Sequence, residues 1–199
     1  WGLIAGHSPL TDYLAAIPYL FSSDPRMGRL WVGVLGVFAV AILYFVIKRY
    51  VGRTGALLTG LLFAVHAPAV DFSRFVWNPN YGQVFIASWL LTGLLGYWEG
   101  KRWAQALHWL ALSFAIQSHP ANLLLGPLSM FLMVTGWLHQ PIVRNNLVRY
   151  TLVGWALFVL SLIPWGIGLS SADSAAASSL VSLREAAGDV VHSDHTFPL

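Results

Sequence analysis

The 199-residue chain is 57% hydrophobic and only 10% charged, against about 25% charged for an ordinary soluble domain, which excludes a soluble globular protein and a disordered chain. Its net charge of +3 comes from 11 bases and 8 acids scattered between long apolar stretches, not from the basic patch that nucleic-acid binding requires. With no cysteine, a disulfide framework, a thiolate metal site and a cysteine nucleophile are excluded as well.

The chain begins with Trp1, without a charged leader or cleavage site before it, and is read as a piece of a longer protein. Residues 1–29 are too polar to span a bilayer. Within them Pro9 to Phe21 is a 13-residue apolar stretch carrying Asp12 and Pro18, suited to a short helix lying at the outer interface. Six stretches free of Asp, Glu, Lys and Arg follow: Leu30 to Ile47, Gly55 to Val70, Tyr81 to Trp98, Trp103 to Ile116, Ala121 to Leu138 and Tyr150 to Leu169. Each is apolar enough to cross a hydrocarbon core about 30 Å thick. The fourth and fifth are separated only by Gln117 to Pro120. Fused into one helix they would extend on the order of 54 Å, so a tight hairpin at Pro120 is expected instead. After Leu169 the composition turns small and polar, and residues 170–199 read as the start of an outer loop. The expected architecture is therefore all-α: a polytopic transmembrane helix bundle with six spans (residues 30–169), an outer loop remnant with an interfacial helix (1–29), and a polar outer segment (170–199).

Lys48, Arg49, Arg53, Lys101, Arg102, Arg144 and Arg149 then fall on the cytoplasmic side with Glu99 as their only acid, as the positive-inside rule requires. The other seven acids, together with Arg26, Arg29, Arg74 and Arg184, fall outside. Acid-dependent chemistry belongs to that outer face, and the multi-pass protein is expected in the cell inner membrane with an extracytoplasmic active face.

The run RLWVGVLGVFAVAILYFVIKRYVGRTGALLTGLLFAVHAPAVDFSR, from Arg29 to Arg74, resembles the early membrane region of bacterial glycosyltransferase-C type enzymes, the protein O-mannosyltransferase and aminoarabinose transferase relatives. Arg29-Leu30 opens a helix, Lys48 to Arg53 forms a basic glycine-containing turn, and Pro68 ends an Ala/Leu-rich helix. SRFVWNPN (Ser73 to Asn80) and QSHPANLLLGPL (Gln117 to Leu128) are similar to outer loops of a bacterial subgroup, and SPLTDYL to an element of the first outer loop. The resemblance implies transfer of a sugar, with inversion, from a polyprenyl-phosphate donor to a lipid, glycan or protein acceptor at the outer face, without nucleic acid. It also implies that this chain covers roughly the second to seventh transmembrane helices, that the principal catalytic acid lies upstream of Trp1, and that the piece alone is inactive.

Such chemistry needs a carboxylate for the acceptor's proton, cationic or metal help for the phosphate, and an apolar groove for the lipid. Asp71 and Asp12 are the candidate carboxylates. Arg74 and Arg29 are the candidate phosphate ligands; Asp71 and Arg74, at i and i+3, would equally suit an ion pair anchoring a helix end. Asn78, where many relatives carry an acid, Asn80 and Tyr81 form an outer turn able to hydrogen-bond a sugar or simply to shape the loop. Gln117 and His119 share the hairpin, where His119 either contacts phosphate or caps the turn, and Tyr13 lies in the first outer segment. His66 lies near the outer end of its span, and His108 is expected to be structural. A divalent metal ion is an open expectation, with His192, Asp194 and His195 a weak ligand cluster. Two rivals stay open: a transporter or flippase, which would place polar groups at the midplane, and a non-catalytic membrane subunit.

Overall fold

The computed structural model describes residues 8–72 and 74–193. All their regular structure is helical: α1 (Pro9–Ala16), α2 (Arg26–Tyr50), α3 (Arg53–Val65), α4 (Ala67–Phe72), α5 (Asn78–Gly93), α6 (Arg102–Ser118), α7 (Leu125–His139) and α8 (Pro141–Ser193). Short 3-10 turns follow α1 and precede α7, and a π turn at Leu94–Trp98 ends α5. The chain divides into two compact units, one spanning Ser8–Leu162 and the other including Ile163 onward. The first holds the bundle. In the second, α8 continues through the Ser/Ala-rich stretch to Ser193, where the composition had suggested a loop. Alanine, the best helix former, is interspersed with serines that tolerate a helix there.

In the bundle α5 packs on α6 and α2, and α2 packs on α3. Gly52 and Gly100, with φ of 107° and 73°, make the tight turns before α3 and α6, a backbone conformation that costs glycine little. Between those turns the Arg49 guanidinium donates to both Glu99 carboxylate oxygens, and the Tyr50 hydroxyl donates to Oε1 at 2.7 Å. The two basic turns therefore sit at one end of the bundle, as the charge distribution required. The guanidinium holds the Glu99 carboxyl below the usual carboxylate range.

Beside an apolar cluster of Trp89, Trp109, Leu112 and Ile116, close backbone approach is a second packing device between helices, as in lipid, where tails are as apolar as leucine. A Cβ on Gly96 would lie 2.8 Å from the Gln105 amide nitrogen, and one on Gly136 would lie 2.6 Å from the Tyr97 carbonyl oxygen. Gln105 Nε2 donates to the Gly96 carbonyl at 3.0 Å, which satisfies an acceptor in the middle of the π turn. Beside it His108, fully buried, donates through Nδ1 to the Trp89 carbonyl at 3.0 Å and is ringed by Trp89, Tyr97 and Trp109. The ring is structural, as expected.

The expected count of six spans is met only in part. Three helical stretches are long and apolar enough to cross a membrane: Arg26–Tyr50, Pro120–His139 and Pro141–Ile167, while Arg53–Val65 is a shorter apolar helix. The Tyr81–Trp98 and Trp103–Ile116 stretches fall outside that group on length and composition, α5 having 16 residues and α6 17, and α6 is moreover covered by its neighbours. Twelve of the seventeen α6 residues are buried, Gln105, His108, Ser113 and Gln117 among them. A helix covered by protein has no need of an all-apolar surface. On α2, α3, α7 and α8 the outward residues are Leu, Val, Ile, Phe and Trp, an exposed apolar surface far beyond what water tolerates.

Candidate functional site

The hairpin between α6 and α7 forms as expected. His119 leaves the helical conformation (φ −159°, ψ 128°), as a residue before proline favours, and its Nδ1 accepts from the Ala121 amide at 3.2 Å. His119 therefore caps the turn, with the other ring nitrogen uncommitted to that contact. Gln117 is almost fully buried. Its Oε1 accepts from Ser8 Oγ at 2.8 Å, and its Nε2 donates to Ser113 Oγ at 3.1 Å and to Ser161 Oγ at 3.3 Å. Ser113 and Ser161 hydroxyls lie 2.6 Å apart. This buried network ties the chain before α1 to α6 and α8. Ser8 also caps α1, accepting from the Leu10 amide at 3.2 Å.

Tethered in this way, α1 lies against the same bundle end as the starts of α2 and α5. It carries Asp12 and Tyr13, both exposed. Asn80 is buried and its Nδ2 donates to the Phe75 carbonyl at 2.8 Å, shaping the turn before α5. Tyr81, 1% exposed, has a buried hydroxyl without a hydrogen-bond partner among the described residues. The Asn78 side chain lies outside the described residues, as do Asp194 and His195. Among the described residues no cluster suited to a metal ion occurs.

Asp71 and Arg74 end the α4 region, both exposed. The Arg74 amide donates to the Asp71 carbonyl at 3.1 Å, but their side chains do not pair: among the described residues the ion pair is that of Arg49 with Glu99. The anchoring alternative for Asp71 and Arg74 is therefore not the arrangement present. Arg74 instead lines a groove of about 1620 Å³ shared by α2, α3, α4 and α5. Along α2 the lining residues Arg26, Arg29, Gly33, Val37, Ala41 and Tyr44 recur at three- and four-residue spacing, one helix face. Phe63 and Ala64 of α3 and Ala69 and Val70 of α4 form much of the opposite wall, with Gln83 contributed by α5.

The groove is thus chemically lopsided. Arg26, Arg29 and Arg74 supply three cationic groups to its lining. The α2 wall beyond Arg29 is apolar as far as Tyr44, about 22 Å at the helical rise. No carboxylate among the described residues lies within ion-pair distance of the three guanidinium groups; the neighbouring Asp24 carboxylate instead accepts from the Arg26 backbone amide at 2.8 Å. Sequence reasoning named Arg29 and Arg74 but missed Arg26 and Gln83. The i, i+3 spacing of Arg26 and Arg29 was visible; Gln83 becomes a wall residue only once α5 has packed on α2.

Long apolar helices, glycine-mediated packing and an outward apolar surface define an α-helical membrane protein. Residues 6–165 match the family described as dolichyl-phosphate-mannose-protein mannosyltransferase, and the chain belongs to that family of membrane glycosyltransferases. No curated protein and no solved structure matches it significantly.

Proposed function

We propose that the protein takes part in sugar transfer from a polyprenyl-phosphate donor to an acceptor hydroxyl, at the extracytoplasmic face of the cell inner membrane, within a six-span arrangement of α2 to α8. The observation that carries this reading is the groove with three arginines and an apolar wall. A lipid phosphate has the same two-part chemistry: an anion that accepts forked guanidinium hydrogen bonds, and a tail that leaves water.

In the reaction the acceptor oxygen attacks the anomeric carbon, and the bond from that carbon to the phosphate oxygen breaks with its electron pair staying on the phosphate. Arg29, Arg74 and Arg26 stabilise the charge that develops there. The acceptor's proton passes to a carboxylate. On this chain Asp71 and Asp12 are the candidate carboxylates, both exposed, whereas Asp24, also exposed, is engaged by the Arg26 amide; Tyr13, Asn78, Asn80 and Tyr81 lie in the segments that would face sugar or acceptor. Gln117 and His119 act by position: one holds the chain before α1, the other fixes the hairpin. The transporter reading finds no support in the two histidines of the spans, since His66 sits at the exposed end of α3 and His108 is sealed between aromatic rings.

The test is transfer from a lipid-linked donor by the full-length protein carrying Arg74→Ala. Loss of a charge-assisted contact to phosphate lowers turnover per donor by about 10- to 100-fold. Unchanged transfer removes the arginine from the donor site.

A further inference from the structure

Resting on the donor reading above, we infer that the groove also selects the donor's tail by length, and that residues along the α2 wall set how many of its carbons are held. The occupant is a single long hydrocarbon chain ending in phosphate, chosen over a free phosphate or a short-chain ester.

Three observations carry this. First, the three guanidinium groups form no ion pair with a carboxylate among the described residues, Asp24 being engaged by the Arg26 backbone amide, and this gives the groove charge complementarity to an anion. Second, the apolar wall does not end near them. It continues along one face of α2 through Gly33, Val37, Ala41 and Tyr44, about 22 Å from Arg29 against a hydrocarbon core of about 30 Å. A site meant only for phosphate and the first carbons has no use for that depth. Third, the wall is kept open where side chains would close it. A Cβ on Gly33, Gly36 or Gly60 meets nothing within 4 Å, unlike Gly96 and Gly136, whose missing side chains are taken up by backbone contacts.

Each methylene removed from water or from looser lipid contact adds to binding, so affinity climbs with tail length until the groove is filled and then levels off. Depth along α2 converts to tail length. Gly33 lies one helical turn beyond Arg29, Gly36 two turns, and Ala41 more than three.

The test is displacement of labelled undecaprenyl phosphate from the full-length protein in nanodiscs, by unlabelled undecaprenyl phosphate, by geranyl phosphate and by inorganic phosphate. The wild type is expected to bind the long ester about tenfold or more tightly than the short one, and inorganic phosphate more weakly than either. Ala41→Phe, deep in the groove, is expected to abolish the advantage of the long ester while leaving the affinity for geranyl phosphate unchanged. Gly33→Leu, near the arginines, is expected to weaken both; its open surroundings allow the side chain without disturbing helix packing. An unchanged long-to-short ratio in Ala41→Phe, or equal affinity for the two esters in the wild type, overturns length selection while leaving the phosphate site standing. Wild-type protein that binds neither ester overturns the donor reading itself.

Discussion

Gly96→Ala adds one methyl group where the π turn crosses the start of α6, and the structure specifies what that methyl would meet. The three nearest atoms are backbone: Gln105 N at 2.8 Å, Ala104 C at 3.1 Å and Gln105 Cα at 3.1 Å. Backbone cannot rotate aside, so α5 and α6 must separate, and overpacking of that kind costs about 1 to 3 kcal/mol. Separation also stretches the hydrogen bond from Gln105 Nε2 to the Gly96 carbonyl, a contact worth roughly 0.6 kcal/mol between membrane helices. A gain of up to about 1 kcal/mol from replacing a helical glycine offsets part of this. The net result is a loss of about 1 to 3 kcal/mol, read as a lower midpoint of thermal unfolding for the full-length protein in detergent. Gly36→Ala is the matched control: its Cβ meets nothing within 4 Å, so the midpoint should stay level or rise. Equal stability of Gly96→Ala and wild type, or equal damage from the two substitutions, would refute close approach as the reason for the glycine.

Gln117→Leu removes an amide that joins Ser8, Ser113 and Ser161 and leaves the buried Ser8 hydroxyl without its acceptor, a cost of about 1 to 3 kcal/mol. It should release the segment around α1, detected as faster proteolysis between Ser8 and Leu20 while the remaining bundle stays resistant. Glu99→Gln removes the charge that Arg49 pairs with. Because the Glu99 carboxyl titrates below its ordinary value of 4.5, its contribution is fully present above that value and disappears as pH falls through the lowered one. The thermal midpoints of wild type and Glu99→Gln should therefore differ slightly at neutral pH and converge in strong acid; divergence on acidification would reverse the sign of the argument.

Much of this architecture is written in the distribution of charge. The uncharged stretch Leu30 to Ile47 lies within α2, and the basic turns at Lys48 to Arg53 and Lys101-Arg102 mark one bundle end, which the Arg49 to Glu99 pair joins. The break at His119-Pro120 followed from proline geometry alone. Other features depend on neighbours. The partners of Gln105, His108 and Gln117 on α6 appear only once the end of α5 and α8 have packed beside it. The π turn at Leu94–Trp98 has no composition that announces it, and the helix through residues 170–193 was hidden by serines that tolerate helix and loop alike. At the site, the residue types in the outer segments pointed to phosphate and proton chemistry, but pairing was not legible. Asp71 and Arg74 had the spacing of an ion pair and do not form one, whereas Arg26 and Arg29 at the start of α2 and Arg74 after α4 line one groove.

The central claim is that this groove holds a lipid phosphate with its phosphate at those arginines. The most direct measurement is photo-crosslinking of the full-length protein in nanodiscs with a polyprenyl phosphate carrying a diazirine on the carbon next to the phosphate, followed by peptide mapping. Labelling of the peptides containing Arg26 to Leu30 and Ala69 to Arg74, competed by unlabelled polyprenyl phosphate and lost in the combined Arg26→Ala, Arg29→Ala and Arg74→Ala variant, is the predicted result. Competed labelling elsewhere in the chain with none on either peptide would contradict the account.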